Sequence, residues 1–316
     1  MSTAPGDFPQ IVHLLPDERV GAVTAIRPIS MGLSGAGVYA VTSARGELVL
    51  RVQPERADPS LWTQQLHLLE RAAAAGVAPP IVHVDEAARA IVSVRVAGAP
   101  LAAVITDPDQ RRAAIASVVD QLRALHALDP TGVRERDPLA YVRDRYAEQR
   151  VRAGYPAWAA ALEPTLDAIA AALARDPRLA VSHNDLNPGN VLWDGAKAWL
   201  VDWEVAGLTH PLYDLAALAM FLQLEDAVVD KLLRQHEGRP VDDDLRATFA
   251  ALRRLVALLC GLTFLSLVPD LAVLPAEPST LLAFYADLRA GRFDLQEPRG
   301  QGAFGLALLR TAIDAA

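Results

Sequence analysis

The sequence predicts an α+β chain of two lobes, a small β-rich lobe over residues 1–97 and a larger helical lobe over residues 98–316. Three observations carry this expectation. Apolar residues alternate with a period of two through much of the first third, and from Thr106 onward they recur at helical spacing. Between the two patterns stands "GAP", Gly98–Pro100, a natural linker.

The stretch "VYAVTSARGELVLRV", Val38–Val52, alternates on both sides of an Arg45-Gly46 turn, as two paired strands do. Ser60 is placed to cap a helix, "LWTQQLHLLERAAAAG", which Gly76 closes. After Pro79 and Pro80, "IVHV" and "AIVSVRV" read as two more strands, so the first lobe is a small sheet carrying one helix. The later helices are predicted over Asp109–Ala127, Pro138–Arg152, Trp158–Ala174, Leu212–Leu224, Asp242–Val268, Ser279–Ala290 and Ala303–Ala315.

Composition narrows the function. With 52% hydrophobic and 22% charged residues, the chain has the balance of an ordinary globular protein. A formal charge of −8 argues against a nucleic-acid partner, which needs clustered Lys and Arg, and leaves small cationic or neutral molecules open. The single cysteine, Cys260, excludes an intrachain disulfide and reads as buried packing between Leu259 and Gly261. "MSTAPGDFPQ" lacks the basic start and apolar stretch of a signal peptide, so the expected location is the cytoplasm. The longest uncharged run, Leu255–Val268, has 14 residues against the ~20 that cross a bilayer, which predicts a core helix and no membrane partner.

The chemistry concentrates in "VSHNDLNPGNVLWDGAKAWLVDWEVAG", Val181–Gly207. Asp194-Gly195 is a hairpin signal between "VLW" and "AWLVDW". A four-residue loop over Asp194–Lys197 sets Trp193 opposite Ala198, and Asn190 opposite Val201 and next to Asp202. Asn190 and Asp202 then fall within about 5–8 Å of each other, close enough to share one cation. Asp185, five residues before Asn190 and separated from it by Pro188-Gly189, lies on a loop able to turn back toward the same point. Asp and Asn oxygens are hard ligands suited to Mg²⁺, and a further carboxylate off the metal can take a proton from a substrate hydroxyl. Sites built on His or Cys clusters do not fit, because there is no His pair at ligand spacing and no second Cys.

"HNDLNPGN", followed twelve residues after its last Asn by Asp202 in "LVDWE", resembles the aminoglycoside phosphotransferase and choline kinase superfamily, relatives of the protein kinases. Trp203-Glu204 is similar to the choline kinase and thiamine kinase branch. The resemblance implies a two-lobed protein-kinase-like fold holding Mg-ATP in its cleft, and transfer of a phosphoryl group to a hydroxyl of a small molecule. It implies His183 orienting the loop, Asp185 as catalytic base, and Asn190 and Asp202 as magnesium ligands. Glu204 becomes a second-metal or substrate-site acid, and Asp214 in "PLYDLA" a buried brace for the catalytic loop.

The nucleotide side of such a site is sought in the first lobe. "MGLSGAGVY" places Gly32, Ser34 and Gly35 just before a strand, where backbone N–H groups can approach phosphate oxygens; taken alone, a tight β-turn accounts for the same residues. On "ELVLRV", Leu48, Leu50 and Val52 share a core face, which turns Val49 and Arg51 the other way. Arg51 looks like the strand cation that contacts phosphates in kinases, with Val49 and Val38 against the adenine; a solvated strand-edge arginine is the other reading. Kinases pair this cation with a glutamate on the following helix, yet that place falls at Gln65, and Glu70 lies more than a turn further on.

For the acceptor, the resemblance favours a cationic amino alcohol such as choline or ethanolamine. The C-terminal aromatics are Phe264, Phe284 and Tyr285, with no tryptophan where choline kinases commonly have one. An aminoglycoside, other antibiotic or thiamine-type kinase is the alternative. A non-catalytic nucleotide-binding protein of the same fold is the alternative of another class, and the presence of the base and both metal ligands speaks against it.

Overall fold

The computed structural model describes residues 4–29, 37–54, 59–275 and 278–314, and only the backbone of Pro59, Ala160 and Ala161. By packing, the chain forms two units, Met1–Arg134 with Pro188–Ala206, and Glu135–Asn187 with Gly207–Ala316. These boundaries differ from the expected one at 97/98, and Gly98 shows why. A Cβ on Gly98 would stand 2.4 Å from the carbonyl oxygen of Trp193, so "GAP" is pressed against a hairpin of its own unit rather than left free as a linker.

The first unit opens with a 3-10 turn, Pro5–Asp7, and two one-turn helices, α1 (Pro9–Val12) and α2 (Asp17–Val20). Strands β1 (Val23–Pro28), β2 (Gly37–Ser43) and β3 (Gly46–Val52) come next, then helix α3 (Pro59–Ala74) and strands β4 (Ile81–Asp85) and β5 (Ala90–Val94). They form one antiparallel sheet in the order β1-β2-β3-β5-β4. Its period-two pattern has a direct cause. Val41, Leu48, Leu50 and Val92 point to one face and are buried against Ile11, Leu14, Leu15 and Val20 of the N-terminal segment. Each such side chain contributes about 1.5–3 kcal/mol on burial. The other face carries Ile91, packed on Trp62 and Leu66 of α3, and also Arg51, which pairs in register with Ile91.

Beyond the sheet come β6 (Ala99–Pro100), α4 (Leu101–Val104) and α5 (Pro108–His126). Asp107 caps α5 by accepting the N–H groups of Asp109 and Gln110 at 3.0 and 3.2 Å, with proline at the first helical position. The second unit then begins with α6 (Pro138–Gln149), a 3-10 turn at Ala157–Ala161, α7 (Glu163–Leu173) and β7 (Ala180–Ser182). The sequence predicts one helix over Trp158–Ala174, and the structure divides it. Pro164 offers no N–H to a preceding turn, so the α-helix restarts with it near the N-terminus.

The chain returns to the first unit for a hairpin of β8 (Val191–Trp193) and β9 (Ala198–Leu200), which pairs through β8 with β6 and packs on α5. In the second unit β10 (Gly207–Thr209) pairs antiparallel with β7, and α8 (Tyr213–Phe221), α9 (Asp226–Glu237), α10 (Asp243–Ser266), α11 (Leu281–Arg289) and α12 (Pro298–Asp314) complete the chain. By length and composition α10 could cross a membrane, yet Leu255, Leu258, Leu262 and Leu265 along it are fully buried in the unit, as expected of a core helix. It packs on α6, α7, α8 and α12. The α10–α12 approach is close because glycines meet there: a Cβ on Gly261 would lie 3.0 Å from the Gly305 carbonyl oxygen.

Candidate active site

In the second unit, β7 ends at Ser182 and the chain turns through His183, Asn184 and Asp185. This loop is held from Asp214, which lies in the first turn of α8 with 0% exposure. One Asp214 oxygen accepts the N–H of His183 and the other that of Asn184, each at 2.7 Å. A buried carboxylate at a helix N-terminus is favoured by the helix dipole, and here both its oxygens also receive backbone donors.

Asn184 has φ of +66°, a left-handed conformation that Asn tolerates better than most residues, and Thr209 Oγ1 donates to its side-chain oxygen at 2.6 Å. The His183 side chain is buried, and its Nδ1 accepts the N–H of Asp185 at 3.4 Å. Asp185 itself is exposed, and its carboxylate accepts from Asn187 Nδ2 at 3.1 Å. The result is a fixed backbone presenting one accessible acid.

The charge of Asp185 is felt by its neighbours in the unit. Burial first, and then Asp185, pushes the Cys260 thiol up to about 12. Burial and then Cys260 push the Tyr285 hydroxyl up to about 12 as well. The sequence predicts a buried Cys260; it is partly exposed, because it lies on a stretch of α10 where Leu259, Thr263 and Phe264 are also only partly covered. Its thiol is nonetheless protonated at neutral pH and no nucleophile.

The first unit gathers the other acids. The hairpin takes the register its sequence predicts: Trp193 pairs with Ala198, and Val201 donates its N–H to Asn190 O at 3.0 Å. Asp194 closes the turn by accepting the N–H groups of Ala196 and Lys197 at 2.8 and 2.7 Å. Past β9, Trp203 is buried and donates to Leu200 O at 3.0 Å. With Trp203 turned inward, Asp202 and Glu204 on either side reach Arg51. Arg51 Nη2 lies 2.9 Å from Asp202 Oδ1 and pairs with Glu204 Oε1 as well. Gln65 is not its partner: Gln65 accepts from Gln53 Nε2 at 2.7 Å.

Asp202 also has a left-handed φ, +68°; its buried Oδ1 is met by the Arg51 ion pair alone, and Arg51 Nε is buried without a hydrogen bond. Backbone strain at an acid and an unmet donor on its partner are features of sites that take a ligand. Two carboxylates converging on one positive group offer hard oxygens of the kind a hard cation takes. Among the described residues no three His, Cys, Asp or Glu side chains form a metal cluster. Val38 and Val49 are partly exposed on β2 and β3, and Val38 pairs with Arg51. Gly32, Ser34 and Gly35 lie outside the described residues.

Sequence reasoning did not single out Asn187 or Thr209. Asn187 lies inside the motif, two residues after the acid it touches, and so could have been found; Thr209 contacts Asn184 from 25 residues away, and nothing local announces it.

An α+β chain with an antiparallel N-terminal sheet and a helical C-terminal part describes a protein-kinase-like fold. Residues 25–254 match the phosphotransferase enzyme family, and the chain belongs to that family. Its fold is shared by a choline/ethanolamine kinase family protein from Mesorhizobium loti, with TM-score 0.66 and 23% identity over 90% of this chain and 92% of that one. It is shared too by choline kinase LicA from Streptococcus pneumoniae, with TM-score 0.64 and 16% identity over 98% and 96% of the two chains. LicA has also been solved in complex with AMP, at TM-score 0.61 and 15% identity over 97% of this chain and 95% of that one. Protein LicA of Haemophilus influenzae is 36% identical over 62 residues, a match spanning 20% of this chain and only 18% of that relative.

Proposed function

We propose that the protein transfers the terminal phosphoryl group of ATP to a hydroxyl of a small cationic amino alcohol, choline or ethanolamine in kind. The observation that carries this reading is the division of labour among the acids. Asp185 is exposed on a loop locked by Asp214, whereas Asp202 and Glu204 share one cation. The first arrangement suits a base that meets substrate, and the second a binding site for charge.

In this mechanism Asp185 accepts the proton of the acceptor hydroxyl as its oxygen bonds to the terminal phosphorus. The phosphorus–oxygen bond to the leaving group breaks and ADP departs. His183 and Asp214 keep the loop in place. Asn190 and Asp202, with Glu204, would hold Mg²⁺, which supplies charge neutralisation for the phosphates. Arg51 then exchanges its carboxylate partners for phosphate oxygens, and Val38 and Val49 give the adenine an apolar surface. Gly32, Ser34 and Gly35 complete the nucleotide side.

Support for a cationic acceptor comes from the second unit. Phe284 is fully buried in a stack with Phe293 and Phe304, at 5.5 and 5.0 Å between ring centroids, and so belongs to the core. Phe264 and Tyr285 stay partly exposed, each ring against Phe304, and Tyr285 neighbours the Cys260 that feels Asp185. Partly exposed aromatic faces suit an ammonium group. Choline and ethanolamine kinases among the structural relatives agree with this acceptor, and the bound AMP of LicA agrees with a nucleotide. The proposed setting is the cytoplasm, where ATP is plentiful.

ADP release measured with choline, ethanolamine, thiamine and aminoglycosides, with magnesium and with excess EDTA, tests the reading. Magnesium-dependent turnover highest on an amino alcohol is expected. Best turnover on an aminoglycoside would move the acceptor assignment to the antibiotic kinases. ATP binding with no turnover on any acceptor would favour a non-catalytic protein.

A further inference from the structure

A second polar network in the helical unit has no part in the roles assigned above. His210, on the turn between β10 and α8, is 8% exposed. Its Nδ1 accepts the N–H of Leu212 at 3.1 Å, and its Nε2 lies 3.1 Å from Asp176 Oδ2. An accepting Nδ1 carries no proton, so the ring's proton sits on Nε2, toward the carboxylate. Arg178 clamps Asp176 through two contacts of 2.8 Å and reaches Glu237 Oε2 at 2.9 Å; Glu237 Oε1 in turn lies 3.0 Å from His236 Nδ1. The network therefore ties the α7–β7 connection and the last turn of α9 to the residue that leads into α8.

The importance of His210 lies in its position just ahead of the brace. Leu212 is the N-cap of α8, Tyr213 donates its N–H to His210 O at 2.9 Å, and Asp214 lies in the first turn. Ring and backbone of His210 together close the 210–213 turn, and the turn sets where the Asp214 carboxylate stands. A protonated imidazole would place an N–H at Nδ1 against the N–H of Leu212, two donors head on.

Resting on the reading of Asp185 as the base, we infer that His210 is a positioning residue. Its neutral ring, held in the Nε2–H form by the Leu212 N–H at Nδ1 with Asp176 as the nearby charge, fixes the first turn of α8 and, through Asp214, the backbone of the loop that presents Asp185. The ring has the protonation state this requires: burial lowers its pKa, opposed by Asp176 and Glu237 and assisted by Arg178, the charged groups that face it. It is neutral at pH 7 and takes up a proton only in acid.

Two variants test this in the full chain. His210→Asn keeps an acceptor oxygen near the place of Nδ1 and cannot titrate; His210→Leu has no acceptor. Exchange protection of the His183 and Asn184 amides is read by NMR, and kcat and KM are read between about pH 5.5 and 8. His210→Leu is expected to lower protection at those two amides, and kcat, about tenfold, with KM for ATP held within about twofold. His210→Asn is expected to keep both near wild type at pH 7 and to flatten the acid decline of kcat.

Unchanged protection in His210→Leu, or a His210→Asn profile that still falls in acid as wild type does, would overturn the inference. Should His210→Leu fail to fold, the acid limb of His210→Asn decides. Should wild type transfer no phosphoryl group, the function reading fails, and the exchange measurement in His210→Asn between pH 7 and acid still decides the role of His210.

Discussion

Arg51 and Asp202 stand 2.9 Å apart although 151 positions separate them in the chain, and the same guanidinium also pairs with Glu204. One cation on a central strand thus balances two acids that arrive from the end of the hairpin. Arg51→Ala leaves those acids facing each other. Because the side chains of Arg51 and Asp202 are 20% and 28% exposed, the melting temperature without ligand should fall by only a few degrees. ATP affinity should fall about 10–100-fold by calorimetry, the loss of one charge-assisted contact to phosphate. A collapse of the unliganded melt would instead make Arg51 a structural residue.

Asp185 and Asp202 are chemically identical and placed for different work. Asp185 is exposed; as the proposed base it meets the acceptor only during transfer, so Asp185→Asn should leave Mg-ATP binding within a few-fold and lower kcat by about 10²–10⁴. Asp202→Asn should impair nucleotide binding, its magnesium dependence and kcat together. Calorimetry with and without magnesium, paired with ADP release, separates the two.

Asp214→Ala strands two N–H groups, that of His183 buried and that of Asn184 partly buried. At about 1–3 kcal/mol for each donor, urea denaturation should show a loss of about 2–5 kcal/mol. Asp214→Asn, which keeps one acceptor oxygen, should lose less stability while still lowering kcat. Equal stability of the Ala variant and wild type would remove Asp214 as the brace.

Stability should climb from acid toward neutrality. The hydrogen bond from His236, then Arg178, holds the Glu237 carboxyl down to about 2 against burial. A folded value below the ordinary 4.5 gives stability that is present above 4.5 and lost as pH falls toward 2. His210 acts in the same direction: its folded pKa is below 6.5, so the unfolded chain takes up the proton first and stability declines as pH drops below 6.5. Urea midpoints across pH should therefore fall in two stages, and Glu237→Gln should shrink the lower one, part of which stays because Arg178 also holds the Asp176 carboxyl low.

How much of the molecule is legible in its sequence depends on how far apart the partners lie. The β8–β9 register follows from Asp194-Gly195 alone, because turn chemistry fixes pairing locally. The core face of β3 follows from alternation, and Leu48 and Leu50 are buried as that requires. Helix α9 is also legible yet absent from the predicted helices: Val229, Leu232 and Leu233 are its buried face and Gly238 closes it in a left-handed turn. The start of α12 is hidden by glycines chosen for contact, since a Cβ on Gly300 would fall 2.0 Å from Asp294 O. Helices α1 and α2, of four residues each, are too short to show a period. The partner of Arg51 cannot be read from the helix after its strand, because the acids that meet it belong to a segment some 150 residues away.

Gly98 against Trp193 has a consequence for how such a chain can recombine. The hairpin that bears Asn190 and Asp202 is tied to the N-terminal part at several points: the Leu200 N–H meets Val77 O at 3.0 Å, Lys197 meets the Gly76 carbonyl, and Asp202 meets Arg51. A single crossover with a relative at 97/98 would join a sheet to a foreign hairpin and mismatch all three ties. Segments 1–134 and 188–206 are inherited to advantage as a pair. Exchanges that preserve the ties need paired breakpoints, and variation within such a family should travel in two-segment blocks rather than in contiguous halves.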